Sequence, residues 1–162
     1  MCYEKSKDFD KACEEYVTVA YRWPDNSLVG DVIIRIGNYF FTRKEYISAA
    51  QVYAKLPQRF KDHELAQRAY YKVGECYLKA EEFDKAAETL EQFLVEYPSS
   101  DLKAEIMYWT GYAYFNSKSM EAKRKAYANF KNVVNFFPET VWAKYSRKFL
   151  LDPAMDNFAK EE

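Results

Sequence analysis

Three of the four glycines in this chain are spaced 37 residues apart, and each lies in a similar local sequence. They are Gly37, Gly74 and Gly111, within Ile-Gly-Asn-Tyr-Phe, Val-Gly-Glu-Cys-Tyr and Thr-Gly-Tyr-Ala-Tyr. A fixed period of this length is typical of a stacked array of helical repeats. Each repeat in such an array buries its apolar face against its neighbours, and the stack presents an extended surface to other molecules. The period therefore predicts an all-α chain that holds partners.

Helix boundaries are indicated where an aromatic residue precedes proline, at Trp23-Pro24, Tyr97-Pro98 and Phe137-Pro138. Proline cannot continue a helix, and the residue before it avoids the α region. Small or polar residues follow each proline, among them Ser99-Ser100-Asp101 and Thr140, which are candidates for helix N-caps. The predicted repeat is a helix A that contains the glycine, a tight turn, and a helix B that ends at the aromatic residue.

Helix B has a signature of its own, because Phe9-Asp10-Lys11-Ala12 recurs as Phe83-Asp84-Lys85-Ala86. Large apolar residues follow at helical spacing, and the small alanines and glycines are expected to let helices A and B approach closely. In the fourth unit Ala126 follows Ala86 by 40 residues, three more than the period. We expect the extra residues in the A–B turn within 117–125, with the basic run 118–125 in a solvated loop.

The predicted array covers residues 1–151. It consists of a partial repeat lacking most of helix A (1–24), three full repeats (25–61, 62–98 and 99–138) and a terminal helix (139–151), and a polar, frayed tail (152–162) follows. The first twelve residues align without a gap on residues 75–86. The chain thus begins inside a helix A, and we expect that further repeats precede it in a longer parent.

The Gly-x-x-Tyr/Phe of helix A, the Phe/Tyr-x-x-Ala of helix B and the closing proline together resemble tetratricopeptide repeats. The segment Tyr97-Pro98-Ser99-Ser100, followed by Ala104, Tyr108 and Gly111, is similar to the repeats of bacterial envelope proteins. That group includes the lipoprotein of the outer-membrane β-barrel assembly complex and the periplasmic Tol–Pal coordinator. The resemblance implies a right-handed α-α superhelix of about eight helices. It also implies a non-catalytic adaptor in the periplasm or cell envelope, with the cytoplasm as the alternative.

By the same resemblance, a protein or peptide partner would bind in a concave groove lined by helix A side chains. The predicted groove residues are Asn38, Phe41, Arg68, Tyr71, Glu75, Tyr108, Tyr112 and Phe115. A groove rich in aromatic side chains favours an amphipathic helix or an extended apolar peptide. The alternative for each aromatic residue is that it only packs against neighbouring helices. A carboxylate clamp of the chaperone-binding type is not expected, because only Asn38 matches its pattern.

Other functions find little support in the composition. The 24 basic and 25 acidic residues give a net charge of −1, and this balance lacks the excess of positive charge that binds the phosphate backbone of nucleic acids. Three cysteines without a CxxC pair and the single His63 suggest neither a metal site nor a general base. We therefore predict no enzyme activity, no cofactor, no metal, no nucleic acid and no membrane insertion.

Three alternatives stay open. The array is a docking or oligomerisation module of a larger enzyme or secretion assembly, or it is a helical repeat that binds nucleic acid on a basic face. Exposed ends of the array could also associate with one another.

Overall fold

The computed structural model describes residues 28–62 and 64–159, with Thr18 alone before them. The described residues form seven helices of ten residues or more and no strand. These helices are α1 Leu28–Thr42, α2 Tyr46–Arg59, α3 Ala66–Lys79, α4 Phe83–Glu96, α5 Lys103–Asn116, α6 Met120–Phe136 and α7 Val141–Leu150. A 3-10 turn, Pro153–Met155, and a one-turn helix α8, Asp156–Ala159, follow. The partial repeat over 1–24 and His63 lie outside the described residues.

The chain divides into two compact units, Met1–Cys76 and Tyr77–Glu162, which are described separately. In the first unit α1 packs against α2. Its core contains Val29 and Ile33 of α1, Leu56 of α2 and Ala69 of α3. In the second unit α5 packs against α4 and α6, and α7 packs against both α5 and α6. The chain is thus an all-α helical-repeat protein, as the 37-residue period predicts.

The prolines end helices where the sequence predicts. α4 ends at Glu96 and α6 at Phe136, and the aromatic residues Tyr97 and Phe137 cap them directly before proline. α2 has no closing proline, runs through Pro57 in its last turn and ends at Arg59, capped by Phe60. Each of the three cap residues donates its backbone N–H to a carbonyl four residues earlier.

Two of the periodic glycines are required by close contact between helices A and B. A Cβ on Gly37 would overlap the ring of Tyr53 in α2, and a Cβ on Gly111 would lie 2.9 Å from the ring of Phe130 in α6. Both rings are fully buried. Phe130 also stacks on Phe149 of α7, with 4.7 Å between ring centroids and 9° between planes. The close approach expected at these glycines is confirmed, and the ring at Gly111 has little freedom to move aside.

The three extra residues of the fourth unit extend a helix, so the predicted basic loop is wrong. The turn between α5 and α6 comprises only residues 117–119, as short as the turn 80–82 between α3 and α4. α6 has 17 residues where α4 has 14. Ser119 makes the longer helix possible, because its side chain accepts the N–H of Ala122 and so caps the added turn. Residues 120–125 of the basic run are therefore helical.

The expectation of a frayed tail is also wrong for residues 152–158. The side chain of Asp152 accepts the N–H of Ala154 and starts the 3-10 turn. Met155 and Phe158 are buried in the core of the second unit, where the ring of Phe158 lies 6.4 Å from that of Tyr127. The segment looks polar in sequence because Met155 and Phe158 are the only large aliphatic or aromatic residues between positions 152 and 158.

Of the predicted N-cap residues, Thr140 caps its helix and the residues at the start of α5 do not. Thr140 caps α7, since its Oγ1 accepts the N–H of Ala143 at 3.2 Å. The residue that caps α5 is Leu102, without a side-chain hydrogen bond. Ser100 instead accepts the N–H of Leu102 at 3.2 Å, which makes a turn ahead of the helix.

Two of the A–B turns have a residue with left-handed backbone conformation at the same position of the turn. Lys44 and Glu81, 37 residues apart, have φ angles of 64° and 59°. In the second unit Glu82 N–H bonds to the carbonyl of Tyr77 and Glu81 N–H to that of Leu78, at 3.0 and 3.2 Å. Lys44 and Glu45 make the corresponding pair in the first unit. This is the Schellman arrangement, whose left-handed position usually holds glycine.

We predict that Gly111→Ala lowers the free energy of unfolding by about 1–3 kcal/mol, because the added methyl overpacks the contact with Phe130. The same exchange in an open helix would stabilise by about 1 kcal/mol. Urea unfolding of Gly111→Ala, Phe130→Leu and the double variant gives the coupling between the two sites. The double variant should lose less stability than the sum of the single changes. A stabilising Gly111→Ala would contradict the contact.

We predict that Glu81→Gly raises the free energy of unfolding by about 0.5–1 kcal/mol, since glycine removes the steric cost of the left-handed conformation. Thermal and urea unfolding measure the change. Lys118→Gly is the matched control, because it occupies the corresponding position in the next turn and has no positive φ. Stabilisation by both substitutions, or by neither, would show that the backbone conformation is not the cause.

Candidate functional site

In the first unit, the hydroxyl of Tyr53 contacts one predicted groove residue, Asn38, and interacts electrostatically with two others, Arg68 and Glu75. The buried phenol crosses from α2 and donates a hydrogen bond to Asn38 Oδ1 of α1 at 2.6 Å. Burial raises the pKa of Tyr53, the Cys76 thiol and Glu75 carboxylate raise it further, and the Arg68 guanidinium opposes them. Asn38 and Arg68 are exposed and Glu75 is half-buried. The phenol of Tyr53 is therefore hydrogen-bonded to α1 and interacts electrostatically with α3, and we call Asn38, Arg68 and Glu75 the polar cluster.

Phe41 lies beside this polar cluster and contacts both neighbouring helices. Its ring meets that of Tyr46 edge to face at a centroid distance of 5.4 Å. The ammonium of Lys72 lies 5.2 Å from the ring centroid, within the range of a cation–π interaction. Lys72 also forms a 2.6 Å salt bridge with Glu75, with both side chains about a quarter exposed. Phe41 is thus held in place while part of its ring faces solvent.

Sequence reasoning missed Lys72, although its spacing gave a signal. It follows Arg68 by four residues and precedes Glu75 by three, which places the three charges on neighbouring positions of α3. Tyr71, the remaining predicted residue of this unit, is half-buried on the same helix. The charged residues on this surface carry both signs.

Cys76 ends this unit as a packing residue. Its side chain is fully buried. Burial and, to a smaller extent, Glu75 raise the pKa of the Cys76 thiol to about 12, while Lys72 opposes the shift. A thiol that stays protonated at neutral pH is a poor nucleophile. Cys76 is therefore a buried packing residue.

In the second unit the predicted residues belong to a cluster of aromatic rings between α5, α6 and α7. Tyr108 is at its centre and only 8% exposed, with ring centroids 5.2 Å from Trp142 and 5.9 Å from Phe130. The rings within contact distance of one another are Tyr108, Trp109, Tyr112, Phe115, Phe130, Trp142, Tyr145 and Phe149. Burial raises the pKa of Tyr108, and Tyr112 and Tyr145 add to the shift. Tyr108 therefore has a packing role.

Tyr112 and Phe115 lie at the edge of this cluster and are half-buried. Tyr112 meets Phe149 edge to face at 5.9 Å and Phe83 of α4 at 6.5 Å. Phe115 meets Phe149 at 5.0 Å, also edge to face. Edge-to-face contacts of this kind fix a ring beyond the effect of burial alone. These two side chains thus combine partial exposure with a fixed orientation.

The second unit also contains a cavity of about 420 Å³ between two A–B turns, which the sequence did not indicate. Residues 81–84 line one side and residues 116–119 the other. Ser117 Oγ donates a 2.8 Å hydrogen bond to Asp84 Oδ1 across it. Among residues 28–62 and 64–159, no group of three or more histidine, cysteine or carboxylate side chains is arranged to hold a metal ion.

No helix within the described part of the chain combines the length and the apolar character that crossing a bilayer requires.

The helical hairpins, the glycine–aromatic contacts and the partly exposed aromatic side chains on the A helices define a helical-repeat protein of the tetratricopeptide class. The family model described as YfiO, outer membrane lipoprotein, matches residues 31–162. The chain belongs to this family. The resemblance to bacterial envelope repeat proteins is thereby confirmed. No curated protein matches the chain.

We predict that the buried thiol makes the fold sensitive to alkaline pH. The pKa of Cys76 is raised in the folded state, from 9.0 to about 12. The unfolded chain therefore loses this proton first, and the contribution to stability is complete below pH 9.0 and lost as pH rises towards 12. Cys76→Ala should flatten the decline in unfolding free energy over this window.

Urea unfolding at a series of pH values from about 8 upward measures the slope. The experiment is best done in a Cys2→Ala/Cys13→Ala background, where Cys76 is the only thiol. Buried tyrosines, including Tyr53 and Tyr114, also have raised pKa values and should leave a residual decline at higher pH. An unchanged slope after Cys76→Ala would contradict a buried, protonated thiol.

Proposed function

We propose that this chain is a non-catalytic scaffold of the bacterial outer membrane that binds segments of partner proteins on its A-helix surfaces. The observation that carries the proposal is that fixed, partly exposed aromatic side chains lie on the A helices α1 and α5. Phe41 is held by Tyr46 and Lys72, and Phe149 holds Tyr112 and Phe115. Rigid aromatic side chains are the residue type that most often dominates binding at protein interfaces.

Preorganisation supports binding rather than packing alone. An aromatic side chain that is already fixed loses little conformational entropy when a partner arrives. The ring contacts of Tyr112 and Phe115 with α7, and of Phe41 with α2 and α3, exist without a partner. The partner segment then bears most of the ordering cost.

The surroundings of Phe41 suggest the kind of segment that would bind. The ring lies beside the Lys72–Glu75 ion pair and the Asn38 amide. An apolar side chain of the partner would cover the ring, and its polar groups would meet the charged and amide groups at the edge. An amphipathic helix or an extended apolar peptide with polar flanks fits this surface. The surface of α5 in the second unit, with Tyr112 and Phe115, is more uniformly apolar.

The family supports the location of the partner. A family of outer membrane lipoproteins favours partners at the periplasmic side of that membrane. The resemblance to the lipoprotein of the β-barrel assembly complex favours proteins of outer-membrane assembly. The proposal assigns no catalytic role to the described side chains, and the protonated Cys76 thiol is in keeping with that.

We predict that a photo-crosslinking amino acid at these positions captures a protein partner. Benzoylphenylalanine replaces Phe41, Tyr71 or Tyr112 one at a time, and each variant is irradiated in a bacterial envelope extract. Because benzoylphenylalanine is itself aromatic, it disturbs the surface little. Ile47 and Val95 are matched control positions, since they are exposed apolar residues on B helices, one in each unit. Crosslinked products are expected at the first three positions and not at the controls.

Alanine variants then test each unit separately. Phe41→Ala/Tyr71→Ala changes the first unit and Tyr112→Ala/Phe115→Ala the second, and each is compared with wild type for capture of the crosslinked protein. Loss of capture with a retained cooperative thermal transition supports binding on the unit concerned. Equal crosslinking at Ile47 and Val95, or full capture by both alanine variants, would refute the proposal.

A further inference from the structure

Helix α7 has one face that nothing in the described chain covers. One of its other faces carries Trp142 and Phe149 into the aromatic cluster, and a second buries Ala143 and Ser146. The residues of the exposed face are spaced three or four apart in the sequence, so they form a single stripe along the helix. We call it the basic stripe, and it consists of Val141, Lys144, Arg147, Lys148 and Leu151.

The described residues that follow α7, up to residue 159, leave the basic stripe open. After α7 the chain turns, and Met155 and Phe158 are buried in the core of the second unit, next to Tyr127 of α6. Leu151 remains 82% exposed and Val141 51%. Phe136, at the end of α6 and shortly before the stripe, is 70% exposed. Val141 and Leu151 thus stand on the same exposed helix face as three cations, where the aliphatic and the charged groups are both open to solvent.

The charge of this region has one sign. α7 contains three cations and no carboxylate. Within the described residues no carboxylate forms a salt bridge with Lys144, Arg147 or Lys148. Residues 117–151 contain eight Lys or Arg and two Asp or Glu, a net charge of +6 in a chain whose total is −1. Residues 77–116, by contrast, have a net charge of −5. The basic character is therefore concentrated in α6 and α7.

The exposed apolar residues and the positive charge together distinguish between the molecules that could bind the basic stripe. A second copy in a symmetric pair would bring three cations against three cations, which is repulsive. An acidic polypeptide would satisfy the cations but would leave Phe136 and Leu151 in water unless it also had matching pockets. A bilayer with anionic lipids meets both requirements, because its headgroups attract Lys and Arg while the interface accepts exposed apolar side chains. The long aliphatic stems of the lysines add apolar contact at the same depth.

We propose that the basic stripe docks the second unit onto anionic lipid headgroups at a bilayer surface. Lys144, Arg147 and Lys148 would contact the headgroups, and the exposed Val141 and Leu151 would enter the interfacial region. In a family of outer membrane lipoproteins a bilayer is close to the protein. The stripe would fix the orientation of the second unit at the surface, independently of the partner-binding residues on α1, α3 and α5.

Cosedimentation with lipid vesicles tests this. The probes are vesicles of phosphatidylcholine alone and of phosphatidylcholine with phosphatidylglycerol in equal parts. We expect binding to the anionic vesicles, weakened by added salt, and little binding to the neutral ones. The triple variant Lys144→Gln/Arg147→Gln/Lys148→Gln should lower the partition coefficient between vesicles and water by about 100-fold. Each cation near an anionic surface raises the affinity by about fivefold, and the loss of three cations multiplies these factors.

The matched control removes the same charge elsewhere. Lys44→Gln/Lys79→Gln/Lys118→Gln changes three exposed lysines in or beside the A–B turns and should retain most of the binding. Val141→Ser/Leu151→Ser tests the apolar part and should weaken binding without removing its salt dependence. Equal loss in both charge variants would overturn the proposal, because net charge alone would then explain the binding. Binding to soluble polyglutamate without binding to anionic vesicles would also overturn it, in favour of an acidic protein.

Discussion

The fold depends on how closely helix A and helix B approach each other. At Gly37 and at Gly111 an aromatic ring from helix B occupies the space that a Cβ would need. The ring fills the gap between two backbones, and burial of an aromatic side chain is among the largest single contributions to a core. Because these rings also reach the next A helix, as Phe130 reaches Phe149, they connect the pairing of one hairpin with the stacking of the following helix. The contact between glycine and ring therefore supports both the pairing of helices A and B and the stacking of the next helix on them.

The same contacts position the surfaces that we propose bind partners. The hydroxyl of Tyr53, whose ring packs on Gly37, reaches Asn38 and lies near Arg68 and Glu75. In the second unit Phe149 stacks on Phe130 and meets both Tyr112 and Phe115 edge to face. The partly exposed Tyr112 and Phe115 therefore contact a ring that itself stacks on a fully buried residue. This explains how residues with solvent on one side keep a defined orientation.

The sequence predicted these core features well because they repeat. The glycine period and the aromatic residues before proline each have a local physical cause, and each is found where expected. Features that occur once were predicted poorly. Nothing in the residues 153–158 shows that Met155 and Phe158 are buried, because two apolar side chains in a short polar segment form no period. Lys72 was overlooked for a related reason, since its role comes from Phe41 on another helix. Whether the eight groove residues bind a partner is a question of chemistry that spacing cannot decide.

The longer helix α6 shows how a chain of this kind can change in length. An α-helix completes a turn in about 3.6 residues, so three added residues bring each side chain that follows to within about 60° of its original direction. Ala126, Phe130 and Val133 therefore still face the core, although the helix begins one turn earlier. An insertion of one or two residues at the same place would have rotated the apolar face towards water. The repeats of this chain accordingly differ in the length of helix B, and those that end in an aromatic residue and proline are better aligned at that proline than at the hairpin turn.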